Sequence, residues 1–151
     1  MNPFVLLFGF SGRINRAKFW LAVLIYAVFF GAVIGITMAV SSSLSAVFAA
    51  ALLAYIPLII SGLAVGIKRL HDRNKSGWWL LVFYVGPLLL NLVSAYALDE
   101  TGIAHQAVLF LSFAINIWAL IELGAMRGTI GPNQYGNDPL APQPAPRPVV
   151  R

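Results

Sequence analysis

His71 and Asp72 stand side by side in the stretch Lys68-Arg69-Leu70-His71-Asp72-Arg73-Asn74-Lys75-Ser76-Gly77-Trp78-Trp79. In another setting such a pair does acid–base work or binds a metal. Neighbouring residues on a helix point about 100° apart, so these two do not by themselves form one bidentate site. Phosphohydrolase chemistry of the His-Asp type needs further His and Asp ligands. The chain's second histidine, His105, is expected on the other side of a membrane. No glycine-rich phosphate loop, activated serine arrangement or acidic metal cluster is present in the sequence. The residues therefore point away from catalysis, and no catalytic residue, metal site or cofactor is expected.

Binding chemistry fits the same residues better. Arg13 and Arg16 lie in Gly12-Arg13-Ile14-Asn15-Arg16-Ala17-Lys18-Phe19-Trp20, and Arg69, Arg73 and Lys75 lie in the second stretch. They interleave with Trp20, Trp78 and Trp79. Guanidinium forks clamp phosphate bidentately, and each basic residue near an anionic leaflet contributes about 1 kcal/mol. If the first stretch is already helical, Arg13, Arg16 and Trp20 share a face. Asp72 can pair with Lys68 one turn earlier or brace a neighbouring arginine. A third polar stretch, Gly128 to Pro139, is dense in turn formers. It can fold under the rest and set Asn133, Tyr135 and Asp138 against the basic groups. Three segments distant in sequence would then make one polar cap. The same cap would also fix topology and close helix ends.

Other polar residues fall inside apolar runs. Glu122 sits about a turn from the end of the last run, with Arg127 close by, and reads as ion-paired. Asn91 pairs in depth with Ser112, and Asn116 with Gly86 and Pro87. These read as interhelical hydrogen bonds, with Asn116 answering the carbonyl that Pro87 frees. Gly31 with Gly35, and Gly62 with Gly66, form GxxxG pairs that read as contacts within the bundle.

The elements that carry these residues follow from composition. The 151 residues are 60% hydrophobic and 10% charged, whereas soluble domains are about a quarter charged. The apolar residues lie in long runs, not in a 2.0 or 3.6 period, which makes lipid the solvent. Four runs reach spanning length, at about 19–40, 44–67, 78–98 and 104–125. Each slightly exceeds the roughly 20 residues that a bilayer requires. The expected fold is all-α, a four-helix antiparallel transmembrane bundle over residues 1–139, followed by a proline-rich disordered tail over 140–151. Met1–Phe10 is too short to span and reads as interfacial.

The basic residues set orientation. All ten Lys and Arg precede the first run, separate the second from the third, or follow the fourth. The opposite side carries Asp99, Glu100 and His105. The positive-inside rule then puts both ends in the cytoplasm. The net charge of +5 is accounted for by topology, and nucleic acid is not an expected partner. Anionic membrane lipids, a second copy of the chain or another membrane protein are. The reading is a non-enzymatic accessory or scaffold protein. A small oligomeric transporter or flippase is the alternative, resting on Thr37, Asn91, Asn116 and Glu122.

The three polar stretches together resemble the bacterial inner-membrane family known as the domain of unknown function 805 family. Its pattern runs G-R-x-x-R-x-x-[FY]-W, then R-L-H-D-x-x-x-S-x-W-W, then G-T-x-G-x-N-x-[FY]-G-x-D-P. This chain fits all three in order, up to Pro139. The resemblance implies a small multispanning inner-membrane protein and brings no activity with it.

Overall fold

The computed structural model describes residues 2–141; most of the proline-rich tail, from residue 142 onward, lies outside them. Five α-helices carry the chain: α1 (Pro3–Phe8), α2 (Arg16–Val40), α3 (Leu44–Asp72), α4 (Gly86–Ala97) and α5 (Ile103–Leu120). Two π-helical turns flank the last pair, Leu81–Val85 leading into α4 and Ile121–Ala125 continuing α5. The only ladder among the described residues is an isolated bridge between Asn133 and Gly136. The protein is an all-α membrane protein.

Helix ends fall where polar side chains replace missing backbone partners. Asn15 caps α2, its Oδ1 accepting from the Lys18 amide at 3.0 Å. This start leaves Arg13 in the preceding loop, beyond Gly12 at φ 88°. Arg13 therefore does not share a helical face with Arg16 and Trp20. The helix α3 is 29 residues long and runs past its apolar stretch, so that Lys68–Asp72 remain helical. It stops at Asn74, whose φ of 57° is left-handed. Asparagine tolerates that geometry better than most residues. The Lys75 amide then bonds back to the Leu70 carbonyl at 2.9 Å.

Three helices are long and apolar enough to cross a membrane: Arg16–Val40, Leu44–Asp72 and Ile103–Ala125. The remaining apolar helix, Leu81–Ala97, is shorter. Its π turn explains how Pro87 is accommodated. The ring removes one amide and crowds the preceding turn, and a π turn relieves such crowding by widening the helix. The Gly86 amide closes it on the Leu81 carbonyl. Asn116 is not involved; its Nδ2 donates to the Ser112 carbonyl of its own helix at 2.8 Å.

The helices pair as two antiparallel hairpins, α2 with α3 and α4 with α5. The hairpins meet only near the basic end. There Ile121–Ala125 approaches both α2 and α3, while no Cα of α4 or α5 comes within 8 Å of either. Two apolar clusters seal this end. Leu6, Ile14, Ala22 and Val65 form one, and Leu70, Leu80, Phe83 and Leu123 form the other.

The contact between α2 and α3 runs through Ala22, Val65 and the Tyr26–Ser61 hydrogen bond of 2.8 Å. It does not run through the GxxxG pairs. A Cβ at Gly31, Gly35 or Gly62 would meet nothing within 4 Å, and only Gly66 is packed, against Leu80. The bulky side chains of the α2–α3 contact hold the helices together on a face that these three glycines do not share.

Candidate functional site: a polar cap at the basic end

Asp72, at the end of α3, is the hub. Its Oδ1 accepts from Arg13 Nε at 3.1 Å and its Oδ2 from Arg69 Nη1 at 2.7 Å. All three residues are buried, Arg69 completely. A buried carboxylate is tolerated only when paired and hydrogen-bonded. Asp72 has two guanidinium partners, and Lys68 is elsewhere.

Arg13 spends its remaining donors on the third polar stretch. Its Nη1 reaches the carbonyls of Gly131 (2.7 Å) and Gly136 (3.2 Å), and its Nη2 reaches that of Thr129 (2.6 Å). The Thr129 amide returns a bond to the Asp72 carbonyl at 2.8 Å. Gly128 is required here, because a Cβ at that position would occupy the place of the Asp72 carboxylate. One arginine therefore joins all three stretches.

Arg69 faces the other way, into the end of α5. The last carbonyls of a helix lack intrahelical partners and carry the negative end of its dipole. Here consecutive carbonyls are answered one by one. Arg69 Nε takes that of Leu123 at 2.6 Å and its Nη2 that of Met126. Trp20 Nε1 takes Gly124 at 3.1 Å and Arg16 takes Ala125 at 3.0 Å. Arg73 takes Arg127 at 2.5 Å. The first two stretches thus act as a C-cap for α5, built from side chains of other segments.

Glu122 lies within the π turn and is buried. Arg73 Nε and Lys75 Nζ reach its Oε1 at 2.9 and 3.0 Å. Lys75 also stands 5.2 Å over the Trp79 ring. The partners of Glu122 are therefore these two residues of the second stretch, and Arg127 is not among them. Trp79 packs edge-on against Trp118, whereas Trp78 is exposed.

His71 stacks on Tyr135, ring centroids 3.8 Å apart and nearly parallel. Its Nδ1 lies 3.2 Å from the Gly12 carbonyl, to which it donates. Asn133 Nδ2 donates to the His71 carbonyl at 2.9 Å. Asn133 and Tyr135 therefore pack on the second stretch through its backbone and its imidazole, while Asp138 serves its own loop. The Leu140 and Gly131 amides donate to the Asp138 carboxylate and hold its pKa below the usual carboxylate value.

Lys68 and α1 join the cap, which their sequence does not announce. Lys68 is buried and donates to the Val5 and Leu6 carbonyls at 2.7 and 2.6 Å. Ser61 donates to the Leu7 carbonyl at 2.7 Å. The short N-terminal helix thus lies alongside the end of α3, with Leu6 buried and Phe4 exposed. Its sequence signal was faint: a lysine at the end of an apolar run reads as a boundary marker. Asn91 and Asn116 lie on exposed surface of α4 and α5, apart from the cap. Asn91 has no side-chain hydrogen bond to Ser112, so the depth match between them is not a contact.

Every fully enclosed side-chain donor and acceptor among the described residues has a partner. Asp72 is held by two arginines and Glu122 by Arg73 and Lys75, while the His71 ring is stacked on Tyr135 and bonded through Nδ1. The accessible chemistry of the cap is at its rim, where Arg16 and Arg127 are exposed beside Trp20.

No solved structure matches the chain. Two proteins of Escherichia coli strain K12 are similar along most of their length. Uncharacterized protein YiiR is 37% identical over 133 residues, covering 87% of this chain and 86% of the relative. Inner membrane protein YhaI is 34% identical over 133 residues with the same coverage. The profile of the family described as "Protein of unknown function (DUF805)" matches residues 7–137, which include Arg13, Arg69, Asp72, Arg73, Glu122 and Asn133 of the cap. The chain belongs to this family.

Proposed function

We propose that the chain is a bacterial inner-membrane protein with four crossings and both ends in the cytoplasm. On this reading it is a non-enzymatic accessory or scaffold protein whose basic cap binds anionic lipid headgroups. The orientation rests on the positive-inside rule: the eight Lys and Arg among the described residues all lie at one end. The inner-membrane location is supported by the printed name of the relative YhaI.

The observation that carries the lipid reading is the division of labour among the basic residues. Arg13, Lys68 and Arg69 are buried and fully engaged by the protein itself. Arg16 and Arg127 stay exposed at the rim, and Trp20, one turn along from Arg16, is exposed as well. Tryptophan favours the membrane–water interface, so these guanidiniums sit at headgroup depth. A buried, saturated interior that fixes the position of exposed cations is what a headgroup platform needs.

The test is native mass spectrometry of the protein released from nanodiscs of phosphatidylcholine with phosphatidylglycerol. Preferential retention of phosphatidylglycerol supports the reading. Release free of lipid, or with the two lipids in their bulk ratio, overturns it.

A further inference from the structure

The rim contains a defined cavity. About 260 Å³ of space lies between the start of α2 and the segment that follows α5. Arg16 and Ala17 form one wall, and Arg127, Gly128 and Ile130 form the other, with Asp138 at the edge.

The electrostatics are settled by which groups are already engaged. Asp72 backs the cavity, but Arg13 and Arg69 outweigh its charge. Asp138 stays a carboxylate held by two backbone amides, and together with Asp72 it is outnumbered by the guanidiniums of Arg13, Arg69, Arg16 and Arg127. Arg16 uses Nη1 on the Ala125 carbonyl and keeps its remaining donors. The Arg127 guanidinium has no hydrogen-bond partner among the described residues. Two guanidiniums with uncommitted donors therefore face one space.

Planar forks of this kind match the oxygens of a phosphate. The volume falls just below the roughly 300–1,000 Å³ of pockets that take drug-sized ligands, a size suited to a headgroup. Trp20, one turn along from Arg16, marks headgroup depth. Ile130 and Leu140 line the same space and stay 77% and 62% exposed, as fits a mouth turned toward lipid rather than water.

We propose that this cavity is a specific site for the phosphate of an anionic phospholipid headgroup, clamped between Arg16 and Arg127. The inference rests on the headgroup-binding reading above and narrows it to one site. A free phosphate offers the same oxygens, so the experiment separates the two sources.

Wild-type protein, Arg16→Gln/Arg127→Gln and Ala17→Glu are each reconstituted in the same phosphatidylcholine–phosphatidylglycerol nanodiscs and compared by native mass spectrometry. Ala17→Glu places a carboxylate in the cavity at a first-turn helix position where acidic residues are favoured, so it keeps the fold. The expected result is one phosphatidylglycerol on the wild type and retention about tenfold weaker or less in both variants. Inorganic phosphate should not displace it.

Retention by the wild type and equally by both variants overturns the cavity and leaves the broader reading standing. No anionic lipid on any form overturns both. Displacement by millimolar inorganic phosphate, or retention of phosphatidylcholine in preference to phosphatidylglycerol, overturns the assignment to an anionic lipid.

Discussion

Asp72 Oδ1 lies 3.1 Å from Arg13 Nε, across 59 positions of sequence, and both side chains are buried. This pair joins the loop before the first long helix to the end of the second. Arg13 continues from it into the Thr129–Gly136 turns, and Arg69 into the end of α5. The cap is in this sense one object, and the two hairpins depend on it because they hardly meet elsewhere.

Gly128→Ala and Gly31→Ala should have opposite effects. At Gly128 the added methyl falls on the Asp72 carboxylate, and breaking a buried ion pair costs about 3–5 kcal/mol. At Gly31 the methyl meets nothing, so the helix should gain about 0.5–1 kcal/mol. Denaturant titrations in mild detergent read both. A loss at Gly31→Ala would contradict the open space around this glycine.

Lys68→Met should release α1 while leaving the cap assembled. The Leu6 carbonyl loses its donor, at about 1–3 kcal/mol for a buried group left unsatisfied, while that of Val5 keeps the Gly9 amide. Hydrogen exchange should rise across Pro3–Phe8 and stay unchanged at Thr129. Unchanged exchange in α1 would show that the lysine does not hold it.

Arg73→Ala should cost more than Lys75→Ala. Both residues pair with Glu122, with 20% and 30% of their side chains exposed, so each pair contributes about 1 kcal/mol or less. Arg73 also holds the Arg127 carbonyl at the end of the cap. Equal losses in unfolding titrations would contradict that second role.

The absence of native cysteine makes topology simple to read. Single substitutions Glu100→Cys and Asn137→Cys occupy opposite ends of the hairpins. In intact cells a membrane-impermeant maleimide should label the first and not the second. The reverse pattern would invert the orientation, and labelling of both would contradict four crossings.

The helices were legible because lipid leaves a coarse signal in sequence: long apolar runs, with basic residues at one end. That three separate stretches would meet was legible from their polarity and shared side. How they meet was not. Arg69 and Arg13 look like headgroup ligands in the sequence, since nothing local shows that the α5 carbonyls and the Thr129–Gly136 turns will take up their donors. The start of α2 at Arg16 depends on the Asn15 cap, which removed Arg13 from the expected helical face. Asn116 was matched to Pro87 by depth alone, and depth does not specify which way a side chain points. Gly31 and Gly35 carried a pattern that suits close packing, but the α2–α3 contact formed on another face. Lys68 and α1 went unread because a six-residue helix leaves too short a period to detect.

The most direct test of the cap as one assembly is a double-mutant cycle on Arg13→Ala and Asp72→Ala, read by denaturant unfolding in neutral detergent. Residues sharing a buried network couple by about 0.5–3 kcal/mol, and this pair should fall in the upper half of that range. Purely additive losses would contradict the cap and return both residues to independent roles at the membrane surface.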